Sequence, residues 1–185
     1  MSKTAFKAFV EQEKEAEIRK NSIDWDKQKK LYLKRLEMLF DQVKQFLHEF
    51  TETGAIRIKT KNVTIEEECI GKYEVPVLRI HIYGKHADLV PAGTNMIGTP
   101  GRVDLIGDIA TIRLILADKE ESGPQILAAF SWSKEGRKRV EEKAANWMQK
   151  KRDYVWKIMT DPPDIRYVEL NEDSFLEALQ EALDG

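Results

Sequence analysis

Between Trp25 and Phe50 the large apolar residues recur every three or four positions, which is the spacing of an amphipathic helix face. Ser22 or Asp24 can cap the start of this helix, and Gly54 is placed to end it. A helix of about 28 residues would be ~42 Å long at ~1.5 Å per residue. We therefore predict a long N-terminal helix that covers one face of a sheet through Trp25, Tyr32, Leu36, Leu39, Phe40, Val43, Phe46, Leu47 and Phe50.

Beyond this helix the spacing of apolar residues changes to two, which predicts β-strands. Apolar and charged or polar side chains alternate in residues 56–59 and again in residues 63–66. Opposite charges would then lie on adjacent strands. We expect a hairpin that turns near Lys61-Asn62.

The next predicted strand runs from Val75 to Tyr83, with its apolar residues at alternate positions. Gly84-Lys85 fits a two-residue hairpin turn with glycine at its first position. That turn would place His81 across from Asp88 on the polar face of the hairpin.

A loop rich in Gly and Pro then leads into a hairpin that we expect to turn at Gly107-Asp108. Its predicted apolar face comprises Val103, Leu105, Ala110, Ile112, Leu114 and Leu116. Its predicted polar face comprises Arg102, Asp104, Thr111 and Arg113. In this register Arg102 and Arg113 lie opposite one another, with Asp104 between them.

The rest of the chain alternates between strand and helix patterns. Asn171 is placed to cap the final helix, and Leu170 and Phe175 have the spacing of a hydrophobic staple. The predicted elements are a strand at Ile126–Trp132, a charged helix at 134–151, a strand at Tyr154–Met159, a turn at Pro162-Pro163, an extended segment at Ile165–Leu170 and the final helix.

These elements predict an α+β fold: a mostly antiparallel sheet of about seven to eight strands, covered by the long N-terminal helix. The charged helix is inserted within the sheet, and another helix ends the chain. We expect residues 1–21 to form a charged helical arm and residues 22–185 to form a single α+β domain.

Composition agrees with a globular protein of ordinary size. The chain has 185 residues, 42% of them hydrophobic and 34% charged, and its formal net charge is −2. Cys69 is the only cysteine, which excludes an intrachain disulfide and a cysteine-based zinc cluster. The charged N-terminus does not resemble a secretory signal, and no apolar run is long enough to span a membrane. We therefore expect a cytoplasmic protein that does not contact membranes.

The leading functional hypothesis concerns residues 91–113, where residues with special backbone properties adjoin a converging set of polar side chains. Two guanidinium groups present donors that suit an anion or carboxylate. Gly93 to Thr99 partly matches a phosphate-binding loop but lacks the lysine and the following helix, so no nucleotide cofactor is expected. The candidate residues for ligand or partner binding are Thr94, Asn95, Thr99, Arg102, Asp104 and Arg113.

A second hypothesis is nucleic-acid binding by residues 134–157, where Trp147, Tyr154 and Trp156 accompany eight Lys or Arg residues at 134–152. Glu135, Glu141 and Glu142 interrupt this basic segment, which favours an ordinary solvated helix. The candidate nucleic-acid contacts are Arg137, Lys138, Arg139, Lys150, Lys151 and Arg152.

A third hypothesis is a small metal-dependent hydrolase. His81, His86 and Asp88 would share one hairpin face, and two imidazoles with one carboxylate can bind zinc or iron. No serine or cysteine nucleophile is placed beside them, and histidine on a solvated strand face is more common than a metal site.

The pattern favours a non-catalytic binding or assembly protein that acts through the 91–113 loop and hairpin. We expect no cofactor and assign no catalytic residue. The expected partner is another protein or a second copy of this chain, with nucleic acid as the alternative.

Overall fold

The computed structural model describes residues 6–14, 24–94, 99–124 and 152–184. The predicted Ser22 cap, the Ile126–Trp132 strand and the 134–151 helix lie outside these residues. Residues 6–14 are helical and exposed. The other elements are the helices α1 (Trp25–Phe46), α2 (His48–Glu52) and α3 (Glu172–Asp184), and the strands β1 (Ile56–Glu67), β2 (Gly71–Ile82), β3 (Lys85–Gly93), β4 (Arg102–Ile106), β5 (Thr111–Asp118), β6 (Tyr154–Met159) and β7 (Tyr167–Glu169).

The seven strands form one sheet in the order of the sequence, and each strand pairs antiparallel with its neighbours. The predicted α+β class and antiparallel sheet are confirmed. The extended segment predicted at Ile165–Leu170 forms a strand only at Tyr167–Glu169. No helix in the described ranges is long and apolar enough to cross a membrane.

The N-terminal helix is shorter than predicted. The Asp24 carboxylate accepts a hydrogen bond of 2.9 Å from the backbone N–H of Lys27, which caps the start of α1. At Leu47 the backbone leaves the helical conformation, with φ −96° and ψ 4°, so α1 has 22 residues and the short α2 follows. The predicted single helix through Phe50 is therefore wrong, because helical spacing of apolar residues continues across the break. Gly54, with φ 75°, follows α2.

The core joins helices α1 and α3 to one face of the sheet. Tyr32, Leu36 and Leu39 of α1 are buried in the same cluster as the inward residues of β2 to β6. Two side-chain hydrogen bonds link α1 to the sheet: Tyr32 donates to the carbonyl of Arg102 at 2.9 Å, and Trp156 donates to the carbonyl of Arg35 at 2.9 Å.

The start of α3 confirms the predicted cap. The Asn171 side chain accepts a hydrogen bond of 2.9 Å from the backbone N–H of Ser174, whose hydroxyl accepts one of 3.0 Å from the backbone N–H of Asn171. Leu170 and Phe175 are both buried in the core, as a hydrophobic staple requires.

The first hairpin corrects a predicted turn. β1 is one continuous strand whose twelve residues all pair with β2, so the chain does not turn at Lys61-Asn62 but after Glu67. The inward residues are Ile56 and Ile58 in the first half of β1, and Val63 and Ile65 in the second half. These pairs lie on opposite faces of the strand. Two-stranded ribbons twist strongly, and the twist turns the odd-numbered side chains of the second half of β1 toward the core. The inward positions therefore change from even to odd numbers within one strand, and in the sequence this change looks like a turn between two strands.

The β2–β3 turn lies one residue earlier than predicted. Ile82 pairs with Lys85, which makes Tyr83 and Gly84 the turn residues. Tyr83 takes the unusual φ of 51° and is 84% exposed. His81 therefore lies across from His86 and not from Asp88.

The β4–β5 connection is also longer than predicted. Ile106 pairs with Thr111, so four residues, Gly107 to Ala110, join the strands in place of two. Asp104 consequently pairs with Arg113, and Arg102 pairs with Ile115, so the two arginines are not directly opposite. The residues predicted for the apolar and polar faces still lie on those faces, because a connection longer by two residues does not change which side of the sheet each side chain occupies.

Glycines in this region are needed mainly because other parts of the chain pack closely against the backbone, and less because of an unusual φ. The density of glycine at 98, 101 and 107 predicts a positive φ in at least one of them. Gly98 lies outside the described residues, and Gly101 and Gly107 do not have a positive φ. A Cβ on Gly107 would lie 2.1 Å from the carbonyl oxygen of Ala182 in α3. A Cβ on Gly101 would lie 2.7 Å from the ring of Tyr32. In this loop it is Gly93 that has a positive φ, of 115°.

Candidate functional site

The face of the sheet opposite the core carries a concentrated basic surface on its first three strands. Side chains alternate across a strand, so odd-numbered residues of the first half of β1 and even-numbered residues of β3 share this second face. We call the following set the basic face: Arg57, Lys59 and Lys61 of β1, Arg79 and His81 of β2, and His86 of β3.

Cationic and imidazole side chains face each other within the basic face, and one of these pairs joins two cations. Lys59 is the register partner of Arg79, and Arg57 is the partner of His81, which in turn pairs with His86. The rings of the two histidines have centroids 6.3 Å apart. Like charges directly opposite on neighbouring strands destabilise a sheet. The arrangement therefore works against the stability of the fold.

Asp88 is the carboxylate that neutralises part of this face. It accepts two parallel hydrogen bonds from the Arg79 guanidinium, at 2.6 and 2.5 Å. These hydrogen bonds, together with the charges of Arg79 and Lys61, lower the pKa of Asp88. Arg79 is thus held in place by its carboxylate partner.

The surroundings of His81 favour the neutral form of its imidazole. Desolvation lowers its pKa below the usual value, and the nearby cations Lys59 and Arg79 lower it further, followed by His86 and Arg57. His81 is therefore predominantly neutral near pH 7 and can accept a proton when a negative charge approaches.

The predicted metal site is not assembled as expected. His81 and His86 are neighbours, but Asp88 is the register partner of Arg79 and is bound to it. The structure brings together no group of three or more His, Cys, Asp or Glu residues suited to a metal ion in the ranges it describes. The one-residue difference in the β2–β3 turn accounts for this change of partners.

Arg102, Asp104 and Arg113 lie on the same face, farther along the sheet. The Arg102 guanidinium donates two hydrogen bonds to the Asp104 carboxylate, at 2.7 and 2.6 Å. Arg113 is the register partner of Asp104 but donates to Asp161 at 2.8 Å. Asp104 is therefore bound to Arg102, although the hairpin does not turn where the sequence predicts. Arg102 and Asp104 are partly buried, with side-chain exposures of 28% and 15%.

The threonines of the predicted loop site make internal hydrogen bonds. The Thr99 hydroxyl donates to the carbonyl of Leu116 at 2.6 Å, and it lies 2.9 Å from the carbonyl oxygen of Gly101. Thr94 is 7% exposed. Asn95 lies outside the described residues.

A polar cluster around Glu67 was not predicted. The Glu67 carboxylate accepts hydrogen bonds from the Tyr73 hydroxyl, from the backbone N–H of Thr94 at 2.8 Å and from its hydroxyl at 3.1 Å. Burial, followed by the hydrogen bond to Glu67, raises the pKa of Tyr73. In sequence Glu67 belongs to an acidic run, and nothing there indicates that the hairpin twist carries it to the loop.

Tyr32 lies beside this cluster, on the core side of the loop, and binds its backbone. Its hydroxyl accepts a 3.3 Å hydrogen bond from the backbone N–H of Gly93. Burial raises the pKa of Tyr32, so the side chain stays neutral. The donors and acceptors of this region are engaged with each other, which is the arrangement of a structural anchor for the loop.

Most of the predicted nucleic-acid contacts, namely Arg137, Lys138, Arg139, Lys150 and Lys151, lie outside the described residues. Arg152 is described, and its guanidinium donates to the Tyr154 hydroxyl at 3.1 Å. The basic face was missed because its residues come from three strands. The signal that could have found it is the alternation of Arg57, Lys59 and Lys61, which places three cations on one side of one strand.

Comparison of the chain with protein-family models, with curated proteins and with solved structures finds no match.

Proposed function

We propose that this protein is a non-catalytic binding protein and that the basic face receives an acidic segment of a partner protein. The observation that carries the proposal is the like-charge pairing of Lys59 with Arg79, next to which Arg57 pairs with the imidazole of His81. Such pairs cost folding stability and become favourable once an anion lies between them.

The position of the basic face supports this function. Helices α1 and α3 share the core with the first face of the sheet, and Arg57, Lys59, Lys61 and His86 on the second face are exposed. We propose that α1 covers the first face as a scaffold and leaves the second face to the ligand. The Arg102–Asp104 pair extends the polar surface toward β4.

A protein partner is favoured over nucleic acid by the side chains of this surface. Binding to single strands without sequence preference relies on aromatic rings on which bases stack. The aromatic rings on the described basic face are the imidazoles of His81 and His86, and Tyr83 lies at the adjoining β2–β3 turn. The basic face therefore offers no large aromatic ring of its own for a base to stack on.

The test is binding of a fluorescent hexaglutamate peptide and of a single-stranded oligonucleotide at two salt concentrations. We expect the peptide to bind the wild type in a salt-sensitive way. The double variant Lys59→Gln/Lys61→Gln should weaken this binding by about 10-fold, since each exposed charge contact contributes up to ~1 kcal/mol. The matched control, Lys27→Gln/Lys30→Gln on the exposed side of α1, removes the same charge and should bind like the wild type.

Equal loss of affinity in both double variants would show that net charge alone governs binding and would contradict the proposal. Tight binding of the oligonucleotide with no binding of the peptide would replace it with the nucleic-acid hypothesis.

A further inference from the structure

A groove of about 620 Å³ lies between the start of β1 and the helices that precede it. Lys44 of α1 and His48 and Thr51 of α2 line one wall, and residues 56–60 of β1 line the other. β1 stands first in the strand order and pairs only with β2 in the described part of the chain. The backbone on its outer side can therefore accept an extended peptide as a further strand.

The first half of β1 lacks most of the features by which proteins prevent strand addition. Residues 56–60 pair with β2 in unbroken register and contain no proline. Natural edges are commonly short, bulged or interrupted by proline, or they carry charges. The protection present at this edge is the charge of Arg57 and Lys59, and an anionic peptide would turn that repulsion into attraction.

The two sides of an added strand would meet different surroundings. Side chains alternate across a strand, so Arg57 and Lys59 lie on the second face of the sheet, and Ile56 and Ile58 lie on the first face. Both isoleucines pack in the core cluster, where Ile56 is buried and Ile58 is partly buried. A strand beside β1 continues the same two faces. Its side chains would therefore lie alternately beside cations and beside isoleucines.

The charge of the groove selects an anionic occupant. Arg57 and Lys59 are exposed, and Lys44 adds a third cation from the helical wall. Lys44 also binds Asp41 at 2.9 Å, and Asp41 does not line the groove. Among the described residues that line it, none is an aspartate or a glutamate. Acidic side chains would be attracted to this groove, and basic side chains would be repelled.

We propose that residues 56–60 of β1 bind an extended segment of a partner protein in which acidic and apolar residues alternate. The segment pairs antiparallel with β1, since antiparallel pairing is the slightly more stable kind. Its acidic side chains lie beside Arg57 and Lys59, and its apolar side chains pack against Ile56 and Ile58. Five paired residues span ~17 Å at ~3.4 Å per residue. This inference rests on the proposed function and specifies the conformation and sequence pattern of the acidic segment.

The first test compares two fluorescent peptides of identical composition and charge. In VEVEVE acidic and apolar residues alternate, and in VVVEEE they do not. VEVEVE should bind at least ~10-fold more tightly, because only alternation places every glutamate beside the cations and every valine in the groove. Fluorescence anisotropy at constant ionic strength measures both affinities. Equal affinity of the two peptides would overturn the proposal.

Methylation of the peptide backbone tests strand pairing directly. In a paired strand the N–H groups of alternate residues point toward one neighbour, and the other N–H groups point away from it. VEVEVE is therefore prepared with N-methyl groups either on all glutamates or on all valines, which keeps charge and pattern unchanged. One of these peptides should bind at least ~10-fold more weakly, because it loses its hydrogen bonds to β1. The other should bind like the parent, and equal affinities of the two would contradict strand addition.

Lys44→Glu tests the groove while leaving the basic face intact. It places a carboxylate in the helical wall and should weaken binding of VEVEVE by about 3-fold. The matched control is Lys34→Glu, an exposed position of α1 outside the groove lining, which makes the same change of charge and should bind like the wild type. Far-UV circular dichroism verifies that both variants are folded. Equal losses of affinity in the two variants would place the peptide outside the groove and overturn the proposal.

Hexaglutamate separates this inference from the proposed function. If hexaglutamate binds in a salt-sensitive way but VEVEVE binds no better than VVVEEE, strand addition is wrong and the basic face remains a receptor for acidic segments. If hexaglutamate does not bind, and VEVEVE binds with the expected sensitivity to N-methylation and to Lys44→Glu, the groove is the binding site and the wider basic face is not.

Discussion

Lys59 of β1 and Arg79 of β2 are register partners on the second face of the sheet, so two cations lie directly opposite each other. Arg79 is bound to Asp88, and Lys59 is exposed beside it. Like charges opposite one another lower the stability of the fold. The same two cations would attract an anionic ligand, so the pair affects folding and binding in opposite ways.

Replacing Lys59 should therefore affect stability and binding in opposite directions. Lys59→Glu should raise the free energy of unfolding by about 0.2–1 kcal/mol, because repulsion from Arg79 becomes attraction. The same change should weaken binding of hexaglutamate. Urea denaturation at a protein concentration that keeps the chain monomeric measures the first effect. A variant that is less stable than the wild type would contradict the cost we assign to this pair.

Burial of α1 against the sheet leads to a second prediction, on Leu39. This side chain is fully buried in the core, and its neighbour Met38 is 61% exposed. Leu39→Ala should lower the free energy of unfolding by about 2–5 kcal/mol, because it removes apolar contacts and leaves a cavity. Met38→Ala should change stability by less than about 0.5 kcal/mol. Similar effects of the two changes in chemical denaturation would mean that Leu39 does not belong to the core.

Helix and strand periodicity predicted most elements of this fold but not where they end. The apolar repeat continues past Leu47, although the backbone leaves the helix there. The exchange of inward faces between Ile58 and Val63 produces the same alternation as a turn between two strands. Backbone breaks and ribbon twist depend on tertiary packing, which periodicity does not contain.

The polar sites illustrate the same distinction. Strand alternation correctly predicted that Arg102, Asp104 and Arg113 share one face of the sheet. The prediction held because a connection longer by two residues leaves each side chain on the same face. The partners of His81 and Asp88 did not follow, because a turn placed one residue earlier moves every cross-strand pair. Contacts across several elements, such as Glu67 with Thr94, require the twist of the hairpin and have no local signal.

Close contact between the β4–β5 turn and α3 leads to a third prediction, on Gly107. A Cβ there would lie 2.1 Å from the Ala182 carbonyl oxygen, which also accepts the backbone N–H groups of Ile109 and Ala110 at 3.0 and 3.2 Å. Gly107→Ala should cost about 1–3 kcal/mol or more, since the turn must move away from the helix. Gly84→Ala is the control, because a Cβ at that turn meets nothing within 4 Å. Thermal melts of both variants test this, and a melt of Gly107→Ala like that of the wild type would contradict it.

The Arg102–Asp104 pair leads to a fourth prediction, which distinguishes a structural role from a binding role. Asp104→Asn removes the charge that accepts both hydrogen bonds from Arg102. If the pair is structural, stability should fall by about 1 kcal/mol, after allowance for partial exposure to solvent. If the pair serves binding, stability should change little and hexaglutamate affinity should rise, because the change removes a carboxylate that repels the peptide and frees the Arg102 guanidinium. Parallel melts and titrations of wild type and Asp104→Asn decide, and a depressed melting temperature with unchanged affinity would remove this pair from the binding surface.

The lowered pKa of His81 leads to the last prediction, which concerns pH. Four cationic or titratable groups face this imidazole: Arg57 and Lys59 from β1, Arg79 on β2 and His86 from β3. In the unfolded chain the histidine binds a proton more readily than in the folded chain, where the pKa of His81 is depressed below its usual value of 6.5. The unfolded state thus binds more protons in this range, and His81 reduces stability as the pH falls below ~6.5.

An anionic ligand should reverse this balance, because a carboxylate near the imidazole raises the His81 pKa. Binding then takes up a proton, and hexaglutamate affinity should rise several-fold as the pH falls from about 8 to 6, with a limit of ~10-fold for each unit by which the ligand raises the pKa. His81→Gln should flatten this pH dependence. His48→Gln, an exposed histidine on α2 away from the basic face, should retain it. Titrations by fluorescence anisotropy at constant ionic strength measure both, and an identical pH dependence in wild type and His81→Gln would exclude His81 as the group that couples protonation to binding.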